Sequence, residues 1–248
     1  MDEILGYLLD DLGALKALSL TCKPLLGATR PLIHQHLVCL DTRQFPPKPK
    51  QSLFSRRTGD LGAFERLLDA DRAGVLHYAR HLTFKQKHRS FTPAFIPQDL
   101  QEYLPQLRSI TRLHSLTLDK FDLPPFIPVF NEHFGMFADT LRHLDIRRPH
   151  GTERDLLYVI SQFNLLEDLT FVSPPDRPIV RPGHHVPAIT QSPPLRGKLV
   201  LVQAISTELL EGLATLPGGL NFHSLELSSC VYPQAVLTAC GHTVTSIS

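Results

Sequence analysis

Three side chains have the types and spacing for acid–base chemistry: His143 and Asp145, two residues apart, and Asp168, 25 residues beyond the histidine. Residues two apart on a β-strand share a face, and neighbouring strands lie about 5 Å apart. If the segments holding them are adjacent strands, an imidazole and two carboxylates meet on one surface, as an acid–base pair or a metal site requires. The same residues also suit a solvated binding face of mixed charge, which is the reading adopted here. A hydrolase using His143, Asp145 and Asp168 stands as the alternative. His184 and His185 follow Gly183 in a proline-rich stretch; paired histidines on a loop bind metals weakly and usually face water. No serine, cysteine or histidine falls in a recognisable nucleophile motif, and there is no glycine-rich phosphate loop. Pro217-Gly218-Gly219 reads as a helix stop. The expectation is therefore no catalytic residue, no cofactor and no metal.

The elements that would position these residues are announced by a pattern of the form L-x-x-L-x-L. Its copies are Ala79/Leu82/Phe84, Leu113/Leu116/Leu118, Leu141/Leu144/Ile146, Leu166/Leu169/Phe171, Leu195/Leu199/Leu201 and Phe222/Leu225/Leu227. The fifth holds one extra residue, Gly197 or Lys198, between its first two anchors. The central leucines recur every 25 to 34 residues, in or just above the period of leucine-rich repeats. Such units form a solenoid in which each buries its apolar edge against its neighbours. Residues between the buried anchors then point to the concave face: His81, Thr83, Lys85, Ser115, Thr117, Asp119, His143, Asp145, Arg147, Asp168, Thr170, Lys198, Val200, Ser224 and Glu226.

Between the expected strands, helices are predicted over 61–70, 97–104, 126–139, 152–163, 206–216 and 233–240. Thr152 and Ser206 open two of them as small polar caps before apolar runs, and Pro97 sits in a first turn, where proline is tolerated. Residues 173–194 break the pattern: the prolines there forbid a regular helix, so an extended crossover is expected. The asparagine that usually follows the strand in leucine-rich repeats is missing. Its positions hold Lys87, Phe121, Pro149, Pro174, Ala204 and Cys230, which predicts an irregular array.

The 248 residues are enough for a sizeable core. Their 25 basic and 24 acidic side chains nearly cancel, so no net field draws the chain to nucleic acid or an anionic membrane. No apolar run nears the ~20 residues of a membrane span, and the acidic start Met1-Asp2-Glu3 is no signal peptide. Cys22, Cys39, Cys230 and Cys240 lack C-x-x-C spacing. They read as free buried thiols in a reducing compartment, which places the chain in the cytoplasm, the nucleus or both. The stretch 43–58, with Pro46, Pro47 and Pro49 among basic residues, reads as an exposed linker.

Residues 3–36 differ from the rest. Ile4, Leu5, Leu8 and Leu12 share one helical face, a second apolar run covers Leu15, Leu18 and Leu20, and a third begins at Thr29, with Gly13 and Pro24 as punctuation. A strand follows at 37–40. Asp2-Glu3-Ile4-Leu5-Gly6-Tyr7-Leu8, then Leu15-x-x-Leu18-Ser19-Leu20-Thr21-Cys22-Lys23, resembles the F-box-like segment of fungal (basidiomycete-type) F-box/leucine-rich-repeat proteins. The resemblance is close over about residues 2–36 and loose over the repeats. The Leu-Pro pair that usually opens the segment would fall before Met1. Val244 and Ile247 begin a strand pattern that stops before its last anchor, so truncation at both ends is expected.

The resemblance implies an α/β fold in which a short F-box-like helical segment (1–36) precedes an irregular leucine-rich-repeat solenoid with a curved parallel sheet (37–248). It implies a substrate-recognition subunit of a Skp–cullin–F-box ubiquitin ligase. Ile4, Leu5, Leu8, Leu15 and Leu18 would dock on the Skp-type adaptor. The concave face, with His81, Thr83, Ser115, Thr117, Asp119, His143, Asp145, Arg147, Asp168 and Thr170, would hold a target protein. Neither nucleic acid nor membrane is an expected partner. A scaffold without a ligase partner is the other reading, since the same N-terminal helices can simply cap an open solenoid end.

Overall fold

A segment that alternates apolar and polar residues can bury one side only when it is extended, and all six triplets end in strands. The computed structural model describes residues 11–21, 23–41, 70–86, 104–121, 123–124, 126–172, 186–202, 205–228 and 234–248. The strands are β1 (His36–Asp41), β2 (His81–Gln86), β3 (Ser115–Asp119), β4 (His143–Arg147), β5 (Asp168–Val172), β6 (Leu195–Val202), β7 (Leu220–Ser228) and β8 (Ser246–Ile247). They form one open, eight-stranded, all-parallel sheet whose strand order follows chain order. The protein is α/β, and the short strands expected at 37–40 and near Ile247 are its two edges.

The register is that of the triplets. Leu82, Leu116, Leu144, Leu169, Leu199 and Leu225 lie side by side, as do Phe84, Leu118, Ile146, Phe171, Leu201 and Leu227. Every triplet anchor is buried except Leu227, which is half-buried. At the strand starts the carbonyls of Gln35, Arg80, His114 and Arg142 each accept two consecutive N–H groups of the next unit, at 2.8–3.0 Å. These paired bonds satisfy backbone that the core would otherwise leave unpartnered.

The helices are α1 (Leu12–Ser19), α2 (Lys23–Ile33), α3 (Ile127–Phe134), α4 (Glu153–Ser161), α5 (Thr207–Ala214) and α6 (Gln234–Cys240). From α3 to α6 each touches the next, and their buried side chains join the strand leucines in one core. The two predicted caps form. Thr152 Oγ1 accepts from Asp155 N (3.3 Å) while the Asp155 carboxylate accepts from Thr152 N (2.6 Å), a complete capping box. Ser206 Oγ accepts from Leu209 N and donates to Glu153 Oε1 at 3.0 Å, tying the start of α5 to that of α4.

Some expectations are corrected. The third apolar run does not begin a helix at Thr29: α2 starts at Lys23, because Pro24 falls in its first turn, where a missing N–H costs nothing. Helix 126–139 ends at Phe134 and tightens into a 3₁₀ turn over Gly135–Phe137. Residues 104–109 form a 3₁₀ helix. Where an asparagine would bridge units, Phe121 and Pro149 are buried instead. The backbone closes the gap: His150 donates to Phe121 O and accepts from Leu123 N, both at 2.8 Å. Phe121 packs on Phe126 and Phe84 (ring centroids 4.1 and 6.0 Å), and Phe130 stacks on Phe134 at 4.7 Å. Residues 186–194 hold no helix or strand, in keeping with the expected crossover. The linker expected at 43–58, residues 61–69 of the helix predicted over 61–70, residues 97–103 and the stretch 173–185 lie outside the described residues, as do Cys22, Cys230, Lys87, Pro174, Ala204 and the side chain of Cys39. Cys240 is free and buried, and burial raises its thiol pKa.

The β6–β7 register shifts between Gly197 and Lys198: these consecutive residues face Phe222 and Ser224, so His223 of β7 is the residue passed over. Gly197 has φ +85, and a Cβ there would sit 1.7 Å from the carbonyl oxygen of Glu167. The neighbouring Lys198 N donates to that same oxygen at 2.7 Å, so the two backbones cannot separate without losing the ladder. Gly197→Ala is expected to lower stability by about 2–4 kcal/mol, measured by urea unfolding. A loss under about 0.5 kcal/mol would mean that the bulge is not a fixed feature of the sheet.

Candidate functional site

The side of the sheet opposite the core carries the chemistry-bearing residues in three rows. Along the first, His36, His81, Ser115, His143, Asp168, Lys198 and Ser224 are in register from β1 to β7. The second holds Val38, Thr83, Thr117, Asp145, Thr170, Val200 and Glu226, and the third Lys85, Asp119, Arg147, Val172, Val202 and Ser228. All ten residues expected to line the target-binding face therefore lie on this side.

The expected meeting of His143 and Asp168 takes place. His143 Nδ1 is 2.7 Å from Asp168 Oδ2, across β4 and β5. An ionised carboxylate only accepts, so Nδ1–H is the donor in this contact. Asp145 does not join them. Arg147 takes its carboxylate, Nε donating at 3.0 and 2.8 Å and Nη2 lying at 2.6 Å. That hydrogen bond raises the Arg147 pKa. The three-residue acid–base group is thus a His–Asp pair beside a separate Arg–Asp pair, because Arg147 lies two residues from Asp145 on the same face. Ser115 is opposite His143 in the register, yet no hydrogen bond joins the two. The side chains of His143 and Asp168 are 45% and 44% exposed, so a proton transferred there would pass in water rather than in an excluded site.

Asp119 is a second correction. Its side chain is only 6% exposed, too enclosed to meet a target. Oδ1 accepts from Arg148 at 2.9 Å and Oδ2 lies 3.4 Å from Lys85, so it fastens β2 and the turn after β4 to the end of β3. Farther along, Lys198 Nζ meets Glu226 Oε2 at 2.8 Å, which raises the lysine pKa.

The L-x-x-L spacing places two residues, not one, before the central leucine, and the first of each pair also reaches the polar edge although strand alternation alone does not point it there. These are Arg80, His114, Arg142 and Glu167, at the strand starts. Arg142 pairs with Glu167, and Arg80 Nη1 donates to the Arg112 carbonyl at 3.3 Å. His36 and His81 stack with centroids 4.2 Å apart and planes 7° from parallel. Burial, then the charges of His36, His114 and His143, lowers the His81 pKa. For His114 the causes are burial, then Arg80, Arg142, His143 and Arg112.

At the N-terminus, Ile4, Leu5 and Leu8 lie outside the described residues. Leu15 is 1% exposed and faces inward between the helices, which corrects its assignment to an adaptor surface. Leu18 is half-buried. Leu20 (87% exposed) and Leu26 (43%) are the apolar side chains offered to water there; Leu20 belonged to the second apolar run, and only the end of α1 decides that it faces out. His184 and His185 are outside the described residues. Among those described, no group of three or more His, Cys, Asp or Glu is placed to hold a metal ion, and no helix is long and apolar enough to cross a membrane. The geometry is that of a polar surface with several of its charges paired across strands. No protein-family model, curated protein or solved structure matches the chain.

Two outcomes follow for this face. Asp119→Ala leaves Lys85 and Arg148 as neighbouring cations without their shared carboxylate, and should cost about 1–3 kcal/mol in chemical denaturation; no loss would show that the clamp is idle. His81 and His114 have folded-state pKa values below 6.5, so the unfolded chain takes up more protons as pH falls. Their contribution to stability is present above pH 6.5 and lost as pH falls through the folded values. The drop in Tm between pH 7.5 and 5.5 should shrink in the His81→Gln/His114→Gln variant. An unchanged drop would place the acid sensitivity elsewhere.

Proposed function

We propose that this chain is a target-binding subunit of a Skp–cullin–F-box ubiquitin ligase. In this reading residues 1–36 are an F-box-like segment and the leucine triplets are leucine-rich repeats of an irregular solenoid with a curved sheet. The α1–α2 end docks on the Skp-type adaptor, and the polar face of the sheet holds the target. The chain contributes proximity and orientation, which can supply much of a rate enhancement without any bond-making residue.

One observation carries the reading. At the α1–α2 end, Leu15 is buried while Leu20 and Leu26 stand in water, leaving two large apolar side chains without cover. Burying each in an apolar groove would recover about 2 kcal/mol. A protein-interaction scaffold is the second reading, favoured by how firmly α2 is tied to the body. Arg30 Nη2 donates to Ala73 O at 3.1 Å, and Thr29 is fully buried, as in a helix pair that only caps the sheet.

Co-purification with a Skp-type adaptor separates the two. The unaltered chain should retain the adaptor. Leu20→Asp/Leu26→Asp should lose it without losing the circular dichroism of the fold, because a charge would be desolvated unpaired. Failure of the unaltered chain to bind would leave the scaffold reading. Asp145→Ala/Arg147→Ala should weaken target capture and leave adaptor binding unchanged. Stability should move by less than about 0.5 kcal/mol, since both partners of the pair are removed together.

A further inference from the structure

Cationic groups gather where β2, β3 and β4 begin, and too few acids answer them. Arg80 and His81 open β2, Arg112 and His114 precede β3, and Arg142 and His143 open β4. Two carboxylates face this group, at the start of β5: Glu167 just before the strand and Asp168, its first residue. Glu167 is taken by Arg142 and Asp168 by His143. That leaves the guanidinium groups of Arg80 and Arg112 with no carboxylate partner among the described residues, although both act on His114. His36 of β1 adds an imidazole stacked on His81, and Lys198 of β6 is held by Glu226. The backbone keeps the group in place. The Arg80 carbonyl accepts from His114 N and Ser115 N at 2.8 and 3.0 Å, and the His114 carbonyl accepts from Arg142 N and His143 N, both at 2.9 Å.

We propose that this strand-start edge binds a short aspartate- or glutamate-rich segment of a partner protein. Arg80 and Arg112 supply charge-assisted hydrogen bonds to its carboxylates. His81 and His114 are the adjustable part. Burial first, and then the positive charge of their neighbours, makes them resist protonation in the free protein, and carboxylates placed beside the rings favour the charged form. By linkage, protons and the acidic segment then favour each other's binding, so the hold tightens as pH falls. A peptide fits better than a nucleic acid for three reasons. The cationic edge spans only three strand starts, about 10 Å at ~4.8 Å per strand. Glu167 and Asp168 end it with negative charge that a continuing phosphate backbone would meet. The rings on it are imidazoles, with no larger aromatic platform for stacked bases.

The inference rests on reading the polar face as the target-binding surface. Its test needs no adaptor, so failure here and failure of the ligase reading are told apart. A fluorescein-labelled octa-aspartate peptide is titrated with the full chain at pH 7.5 and 5.5 and fixed ionic strength, and followed by anisotropy. Aspartate, with a pKa near 3.9, stays ionised at both. The Kd should fall about tenfold at pH 5.5, the effect of one linked proton taken up per unit of pKa shift. His81→Gln/His114→Gln should cut that gain below about threefold. Arg80→Gln/Arg112→Gln should weaken binding about tenfold or more at both values, while Lys198→Gln changes neither. Circular dichroism checks that each variant is folded. No peptide binding at either pH, full affinity in the arginine variant, or a pH gain that survives in the histidine variant would each overturn the proposal. So would tighter binding of a single-stranded oligouridylate of equal charge, which would make the edge a nucleic-acid site.

Discussion

From β2 to β7 each strand of this sheet has one side that must be dry, and the register across the strands is the constraint on which everything else depends. Leu37, Leu82, Leu116, Leu144, Leu169, Leu199, Leu225 and Ile247 share one row. Sliding any strand by one residue would turn its leucines outward and its polar residues inward. A buried leucine is worth about 2 kcal/mol, so a slip forfeits several such terms at once. The doubled hydrogen bonds at Gln35, Arg80, His114 and Arg142 reinforce the same register from the backbone. Where the register shifts, His223 of β7 is passed over opposite Gly197 and Lys198, and Leu199 and Leu225 return to the row.

Because the apolar side fixes the register, the polar side is fixed with it. His143 meets Asp168, and Lys198 meets Glu226, only because β4–β5 and β6–β7 are locked by leucines on the far face. Asp119 goes further and becomes part of the frame, since its carboxylate joins Lys85 of β2 to Arg148 beyond β4. Strand ends that would otherwise fray are held by a charge cluster, while at the strand starts Arg142 and His143 are paired and Arg80 and Arg112 have no carboxylate partner among the described residues.

The irregularity of the array has a steric origin. Phe121 and Pro149 stand where smaller polar bridging residues are usual, and eight phenylalanines are among the largest fully buried side chains. Rings of that size need room, and the intervals between central leucines vary accordingly, from 25 to 34 residues. After β3 and β4 the chain turns through Lys120 and Arg148 in the left-handed region, at φ 57 and 49. Neither residue favours that conformation. Lys120 N donates to Arg147 O and Arg148 N to Val172 O, both at 2.7 Å, and these bonds hold the turns in place.

The strands, their parallel order, the inward leucines and the capped helices at Thr152 and Ser206 were all legible in the chain, because each is a local pattern of period or cap chemistry that few alternatives satisfy. So was the approach of His143 to Asp168, which needs only adjacent strands in triplet register. What local pattern left open was the partner each charged side chain would take. Asp145 turns to Arg147, Asp119 sinks between Lys85 and Arg148, and Leu15 faces inward while Leu20 faces out. Those outcomes depend on which neighbour a long, flexible side chain reaches first and on where a helix stops. Sequence alone determined which residues share a face. The assembled sheet decided which of them are paired, because ion pairing is settled by distances between strands that the chain brings together only on folding.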